Sequence, residues 1–86
     1  MANNDGPYME VNFTRTLAPT MEIEYGYNGK PLYIGLVRPG INTLTKGWQI
    51  RKFVYDDSGK MTSIKWADGV SSFTKIWDSR GNYDYS

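Results

Sequence analysis

Short runs of alternating apolar and polar residues predict a chain of β-strands separated by tight turns. Residues 21–25 alternate, with Met, Ile and Tyr at the odd positions, as a half-buried strand does. Residues 31–37 form a second apolar run that ends at Pro39-Gly40. Asn28-Gly29 lies between the two runs, and both residue types tolerate the positive φ of a turn. The pattern therefore predicts two short strands joined by a turn.

The strongest strand pattern lies at residues 48–55. Even positions from Trp48 to Val54 share one predicted face, and Gln49, Arg51, Phe53 and Tyr55 share the other. Residues 56–60 contain a glycine, and residues 61–67 return with a second alternating run. A five-residue loop of this type between two such runs predicts a β-hairpin. The predicted core comprises Trp48, Ile50, Trp66, Phe73, Ile76 and Trp77.

The two ends of the chain are less regular. Phe73, Ile76 and Trp77 have a spacing that fits one helical turn as well as a bent strand. Residues 82–85 alternate Asn, Tyr, Asp and Tyr, which predicts an edge strand. Residues 8–15 also alternate, with Met9, Val11 and Phe13 as the apolar positions. That segment is either a strand or an arm that becomes ordered against a partner.

Composition agrees with a single all-β domain. The 86 residues include 7 Tyr, 3 Trp, 3 Phe and 9 Gly, a length suited to one domain and residue types suited to strands and turns. We expect residues 1–20 to form an N-terminal arm or extension and residues 21–86 a single β domain. The predicted fold is a small antiparallel β-sandwich or barrel of five to seven short strands.

Missing residue types narrow the chemistry. The chain has no cysteine and no histidine, which removes thiol nucleophiles, zinc knuckles and the usual general base. The adjacent Asp56 and Asp57 point to different sides of a turn, so they do not form an acid/base pair. We therefore expect no enzyme activity and no catalytic, cofactor-binding or metal-binding residues. No apolar run reaches the length of about 18 residues that predicts a membrane span.

Charge is unevenly divided along the chain. Residues 1–27 hold four acidic residues and one basic residue, whereas residues 28–86 hold nine basic and five acidic residues. Opposite charge on arm and body favours self-association, with the arm of one copy on the body of the next; ordinary solvated surface charge is the alternative. The overall net charge of +1 makes nucleic acid an unlikely partner.

Binding of single-stranded nucleic acid or carbohydrate is the alternative function. Arg51, Phe53 and Tyr55 share a predicted strand face, and small β-barrels stack single-stranded nucleic acid on such rings. Exposed Tyr and Trp residues also form platforms for carbohydrate, so a glycan is a possible partner. Both readings compete with the view that the aromatic rings fill the interior of a small domain.

Residues 28–86 carry a string of short motifs: Asn28-Gly-Lys-Pro-Leu-Tyr-Ile-Gly35, Gly47-Trp-Gln-Ile-Arg-Lys52, Trp66-Ala-Asp-Gly69, Phe73-Thr-Lys-Ile-Trp-Asp-Ser-Arg80 and Tyr83-Asp-Tyr-Ser86. This string resembles short proteins of tailed bacteriophages that are encoded among virion genes. The resemblance implies a virion component of the tail, fibre attachment or head surface, assembled in the cytoplasm of the bacterial host. It implies no catalytic residues.

Together these observations predict a non-enzymatic virion structural protein that forms a symmetric oligomer and contacts other virion proteins. β-Edge and aromatic contacts would hold the assembly together. The alternative is a small β module that binds carbohydrate or single-stranded nucleic acid. The candidate interface or ligand surface comprises Met9, Val11, Phe13, Arg51, Phe53, Tyr55, Tyr83 and Tyr85.

Overall fold

A computed structural model of the chain describes residues 19–26 and 28–86. These residues form one open antiparallel sheet of four strands in the order β1-β2-β3-β4. The strands are β1 (Thr20–Tyr25), β2 (Pro31–Val37), β3 (Gln49–Tyr55) and β4 (Met61–Trp66), and a 3-10 helix follows at Trp77–Asn82. The mostly β character is thus confirmed, and so is the predicted hairpin, which is β3 with β4.

Two tight turns hold the strand pairs in register. Gly29 has a φ of 82° between β1 and β2, a conformation that glycine adopts without strain. Between β3 and β4, the Asp56 carboxylate accepts hydrogen bonds from the backbone N–H groups of Ser58 and Lys60, each at 2.9 Å. The Ser58 hydroxyl, which also donates to this carboxylate, and the Lys60 N–H lower the pKa of Asp56 below its usual value.

The core lies on one face of the sheet, beneath the C-terminal segment. Trp48 and Ile50 are almost completely buried, and Trp77 from the 3-10 helix packs on them. The ring centres of Trp48 and Trp77 are 5.7 Å apart. Tyr85 packs beside this cluster with its ring centre 5.5 Å from that of Tyr33. Burial raises the pKa of the Tyr85 hydroxyl, and the neighbouring Tyr33 adds to the effect.

Hydrogen bonds fasten the C-terminal segment to the sheet at both of its ends. Trp48 and Lys75 each donate a backbone N–H to the other's carbonyl, at 2.9 Å. Trp66 and Ser86 exchange backbone hydrogen bonds of 3.0 and 3.2 Å in the same way. The segment is thereby held across one sheet face, where its tryptophan covers the core.

Several predictions for this segment were wrong. Phe73 is 53% exposed, so it is not a core residue. For the spacing of Phe73, Ile76 and Trp77, which left a helical turn and a bent strand open, the structure shows a 3-10 helix that begins only at Trp77. Tyr83 and Tyr85 do not form an edge strand; Tyr85 makes an isolated bridge with Ala67. The segment crosses over the sheet instead of running beside it, so its aromatic residues point down onto the core.

Trp66 also departs from the predicted core. It pairs with Arg51 across β3 and β4, on the sheet face opposite Trp48, and it is only half-buried. Within residues 19–26 and 28–86 there are four strands, which is fewer than the five to seven predicted. β1 begins at Thr20, inside the range predicted for the N-terminal arm. The predicted strand or arm at residues 8–15 lies outside the described residues.

Candidate interaction surface

The sheet face opposite the core carries side chains from all four strands. We name it the apolar sheet face and define it by Met21, Ile23, Ile34, Leu36, Gln49, Arg51, Phe53, Ile64 and Trp66. The strand register places these residues in rows: Met21 faces Leu36, Ile23 faces Ile34, and Phe53 faces Ile64. Seven of the nine are apolar, because strand alternation places the apolar residues of β1 and β4 on this side and those of β2 and β3 on both sides.

Exposure on this face rises from the centre to the edge strands. Phe53 is 7% exposed and forms the floor. Met21 on β1 is 54% exposed and Ile64 on β4 is 47% exposed. Four strands of six or seven residues span a surface of roughly 20 Å by 20 Å. The apolar part of this surface is below about 400 Å², because Gln49 and Arg51 share it, and is similar in size to the largest apolar patch of a typical monomer, which is often functional.

Arg51 is the one charged residue on this face. Its guanidinium lies 4.7 Å from the centre of the Trp66 ring, and Nη2 donates a 2.9 Å hydrogen bond to Oε1 of Gln49. Its Nε atom is buried and has no hydrogen-bond partner among the described residues. A buried donor without an acceptor is costly.

Five residues of the candidate surface predicted from the sequence lie in the described part of the chain, and these five do not share one face. Arg51 and Phe53 lie on the apolar sheet face. The Tyr55 hydroxyl donates to the Pro31 carbonyl at 2.6 Å, so it is engaged within the domain. Tyr83 and Tyr85 lie on the opposite side, packed against the core. The remaining three residues, Met9, Val11 and Phe13, lie outside the described residues.

Sequence reasoning missed most of the face. The alternation already placed Met21 with Ile23, and Ile64 with Trp66, on common sides of their strands. What it could not show was which side the C-terminal segment covers. That choice leaves these apolar side chains at the surface instead of in the interior.

Among residues 19–26 and 28–86 no group of three or more acidic, His or Cys side chains is placed to hold a metal ion. In the same residues no helix has the length and hydrophobicity needed to cross a membrane.

Comparisons with protein-family models, curated proteins and solved structures give no match. The resemblance to tailed-phage proteins therefore stays a prediction. The geometry of the apolar sheet face is the main guide to function.

Proposed function

We propose that this chain is a non-enzymatic structural subunit that assembles with further copies of itself into a symmetric oligomer. The observation that carries the proposal is the apolar sheet face, which presents Met21, Ile64 and neighbouring apolar groups to solvent. Sheets with one apolar face commonly pack on a second sheet at a separation of about 10 Å. The sandwich predicted from the sequence would then form between two copies, with each contributing one sheet.

The size of the face sets a limit on this contact. Two faces on the order of 400 Å² bury roughly 800 Å² together, whereas stable interfaces bury about 1,200–2,000 Å². Sheet-to-sheet packing therefore accounts for part of a stable oligomer, and a further contact is expected. Among the described residues no strand lies beside the outer edge of β1, and this edge would be the place for strand addition, since an edge strand exposes unpaired backbone groups. The end of the β4 edge is already paired, because Trp66 exchanges backbone hydrogen bonds with Ser86.

The proposed setting is the virion of a tailed bacteriophage, in contact with other virion proteins. The resemblance of residues 28–86 to short phage proteins supports this setting, and the uneven division of charge between residues 1–27 and 28–86 supports the assembly. The oligomer would form in the cytoplasm of the bacterial host and take its place in the tail, at a fibre attachment or on the head.

Arg51 on Trp66 is the observation that favours the second candidate function, a module for carbohydrate or single-stranded nucleic acid. A basic group beside an aromatic ring on an open sheet is how such modules bind bases and sugars. Here the guanidinium already covers the Trp66 ring at 4.7 Å, and Phe53 is buried. A ligand would have to displace Arg51 to stack, so assembly is the better supported function.

Light scattering on the full-length chain tests the proposal. We expect a discrete oligomer that Ile64→Lys converts to monomer, since a lysine would place a charge inside the contact. Val70→Lys is the matched control, because Val70 is 43% exposed and lies outside the sheet. A wild-type protein that stays monomeric at 500 µM would refute self-assembly. Glycan and oligothymidine binding by wild type, with loss in Arg51→Ala, would then establish the second candidate.

A further inference from the structure

A cleft opens where β2 ends, beside the point at which the N-terminal segment enters the sheet. It measures about 350 Å³, within the range of about 300–1,000 Å³ that is usual for ligand sites. The lining residues are Pro19, Val37, Arg38, Pro39, Ile41, Lys46, Gly47 and Phe73. The cleft is separate from the apolar sheet face, with which it shares no residue.

The interior of the cleft is apolar. Val37 is completely buried, whereas Phe73 is 53% exposed. Gly47 has a φ of 138°, and a Cβ placed there would lie 3.6 Å from Ile41 and 3.7 Å from Val37. The glycine therefore keeps this part of the cleft open. A bound apolar side chain would shield the Phe73 ring from water, which is favourable in proportion to the area covered.

The two polar lining residues, Arg38 and Lys46, are both cations and both exposed. The ion pairs among the described residues are Lys75 with Asp68 and Arg80 with Glu24, so neither cleft cation is paired there. An apolar interior beside two cations fits a peptide with apolar side chains next to carboxylates. Such a peptide would gain both burial and charge complementarity.

The chain itself contains a segment of this chemistry. Residues 5–10 read Asp-Gly-Pro-Tyr-Met-Glu, so Tyr8 and Met9 stand between two carboxylates. Glu22-Ile23-Glu24 has a similar composition but belongs to β1, where its backbone is already paired. Asp84 stands between two tyrosines that pack against the core. The second and third of these stretches belong to elements of the described structure, whereas residues 5–10 lie outside the described residues.

We propose that this cleft binds residues 5–10 of a second copy of the chain, with Tyr8 and Met9 in the apolar interior and Asp5 and Glu10 beside Arg38 and Lys46. The inference rests on the proposed oligomer, because the apolar sheet faces alone bury less area than a stable interface needs. Exchange of this segment between copies supplies the missing contact. It also explains why the acidic excess lies in residues 1–27 and the basic excess in residues 28–86.

Charge reversal in full-length chains tests the exchange. The first variant is Arg38→Glu with Lys46→Glu, and the second is Asp5→Lys with Glu10→Lys. In a sample of either variant by itself, the cleft and residues 5–10 carry charges of the same sign. The dissociation constant of the oligomer should therefore rise at least about tenfold. An equimolar mixture restores both complementary contacts between unlike copies, and its dissociation constant should return towards the wild-type value. Lys60→Glu, an exposed cation in the turn between β3 and β4, is the control and should leave it unchanged.

Two results would overturn the inference. If the oligomers of both variants have the same dissociation constant as wild type, the cleft takes no part in assembly. Weakened variants whose mixture is not restored would show that the segment does not bind in a second copy. Circular dichroism and the thermal midpoint of each variant establish that it is folded. If Ile64→Lys abolishes the oligomer but none of these charge changes affects it, the cleft inference fails and the proposed function does not. The two failures are therefore distinguishable.

Discussion

Gly35 lies directly beneath the ring of Trp77. A Cβ built on Gly35 would be 2.5 Å from Cε3 of Trp77 and 2.9 Å from Cε3 of Trp48, distances at which carbon atoms overlap. The missing side chain in the middle of β2 makes the space in which the C-terminal tryptophan packs. This glycine is therefore required for space and not for backbone conformation.

Gly35→Ala should destabilise the domain by about 1–3 kcal/mol, because the added methyl group overpacks the core. Gly81→Ala is the matched control, since a Cβ there meets no atom within 4 Å. Urea unfolding followed by tryptophan fluorescence measures both. Equal stability of the two variants would show that Trp77 does not pack on Gly35.

Trp77→Ala should cost about 3–5 kcal/mol, as usual for removal of a buried tryptophan. Phe73→Ala should change the unfolding free energy by no more than about 0.5 kcal/mol, because Phe73 is 53% exposed. Chemical denaturation of the two variants in parallel makes the comparison. A large loss in Phe73→Ala would restore the original prediction that this residue belongs to the core.

Arg80 connects the 3-10 helix to the edge strand β1. Its Nε donates to Oε1 of Glu24 at 2.7 Å, and its guanidinium lies 4.5 Å from the Trp77 ring centre. Glu24→Gln should cost about 0.2–1 kcal/mol, and less at 1 M salt, where charges are screened within about 3 Å. Glu22→Gln is the control, because Glu22 forms no ion pair among the described residues. Equal, salt-independent effects in the two variants would contradict the ion pair.

Asp56 should make the domain sensitive to acid. Its pKa is lowered in the folded state, so its contribution to stability is present above the unfolded pKa of about 3.9 and is lost as the pH falls through the folded value. Asn can accept the same hydrogen bonds without the charge. The thermal midpoint of Asp56→Asn should lie below that of wild type at pH 7, and the difference should disappear towards pH 2. If the thermal midpoints of wild type and Asp56→Asn still differ at pH 2, the charge of Asp56 is not the cause of the stabilisation.

The four strands and their turns were predictable from local pattern. For β3 and β4, the side-chain alternation and the Asp56–Lys60 loop both predict the same hairpin. Local preference and tertiary pairing therefore favour one structure. The pattern of the Phe73–Trp77 segment was ambiguous, because its three apolar residues fit a helical turn and a bent strand equally well. Its course depends on Gly35, which lies about forty residues earlier and makes room for Trp77.

Local sequence pattern is enough to locate the strands and to show which side chains share a strand face, because period-two alternation is a local property of the backbone. Both sides of the central strands β2 and β3 carry apolar residues, so the pattern did not show which face becomes the core. Tertiary structure decided this by laying Trp77 and Tyr85 over the Gly35 and Trp48 side. The same packing left Met21 and Ile64 exposed on the other side. That choice depends on contacts between residues distant in the chain, which no local pattern records.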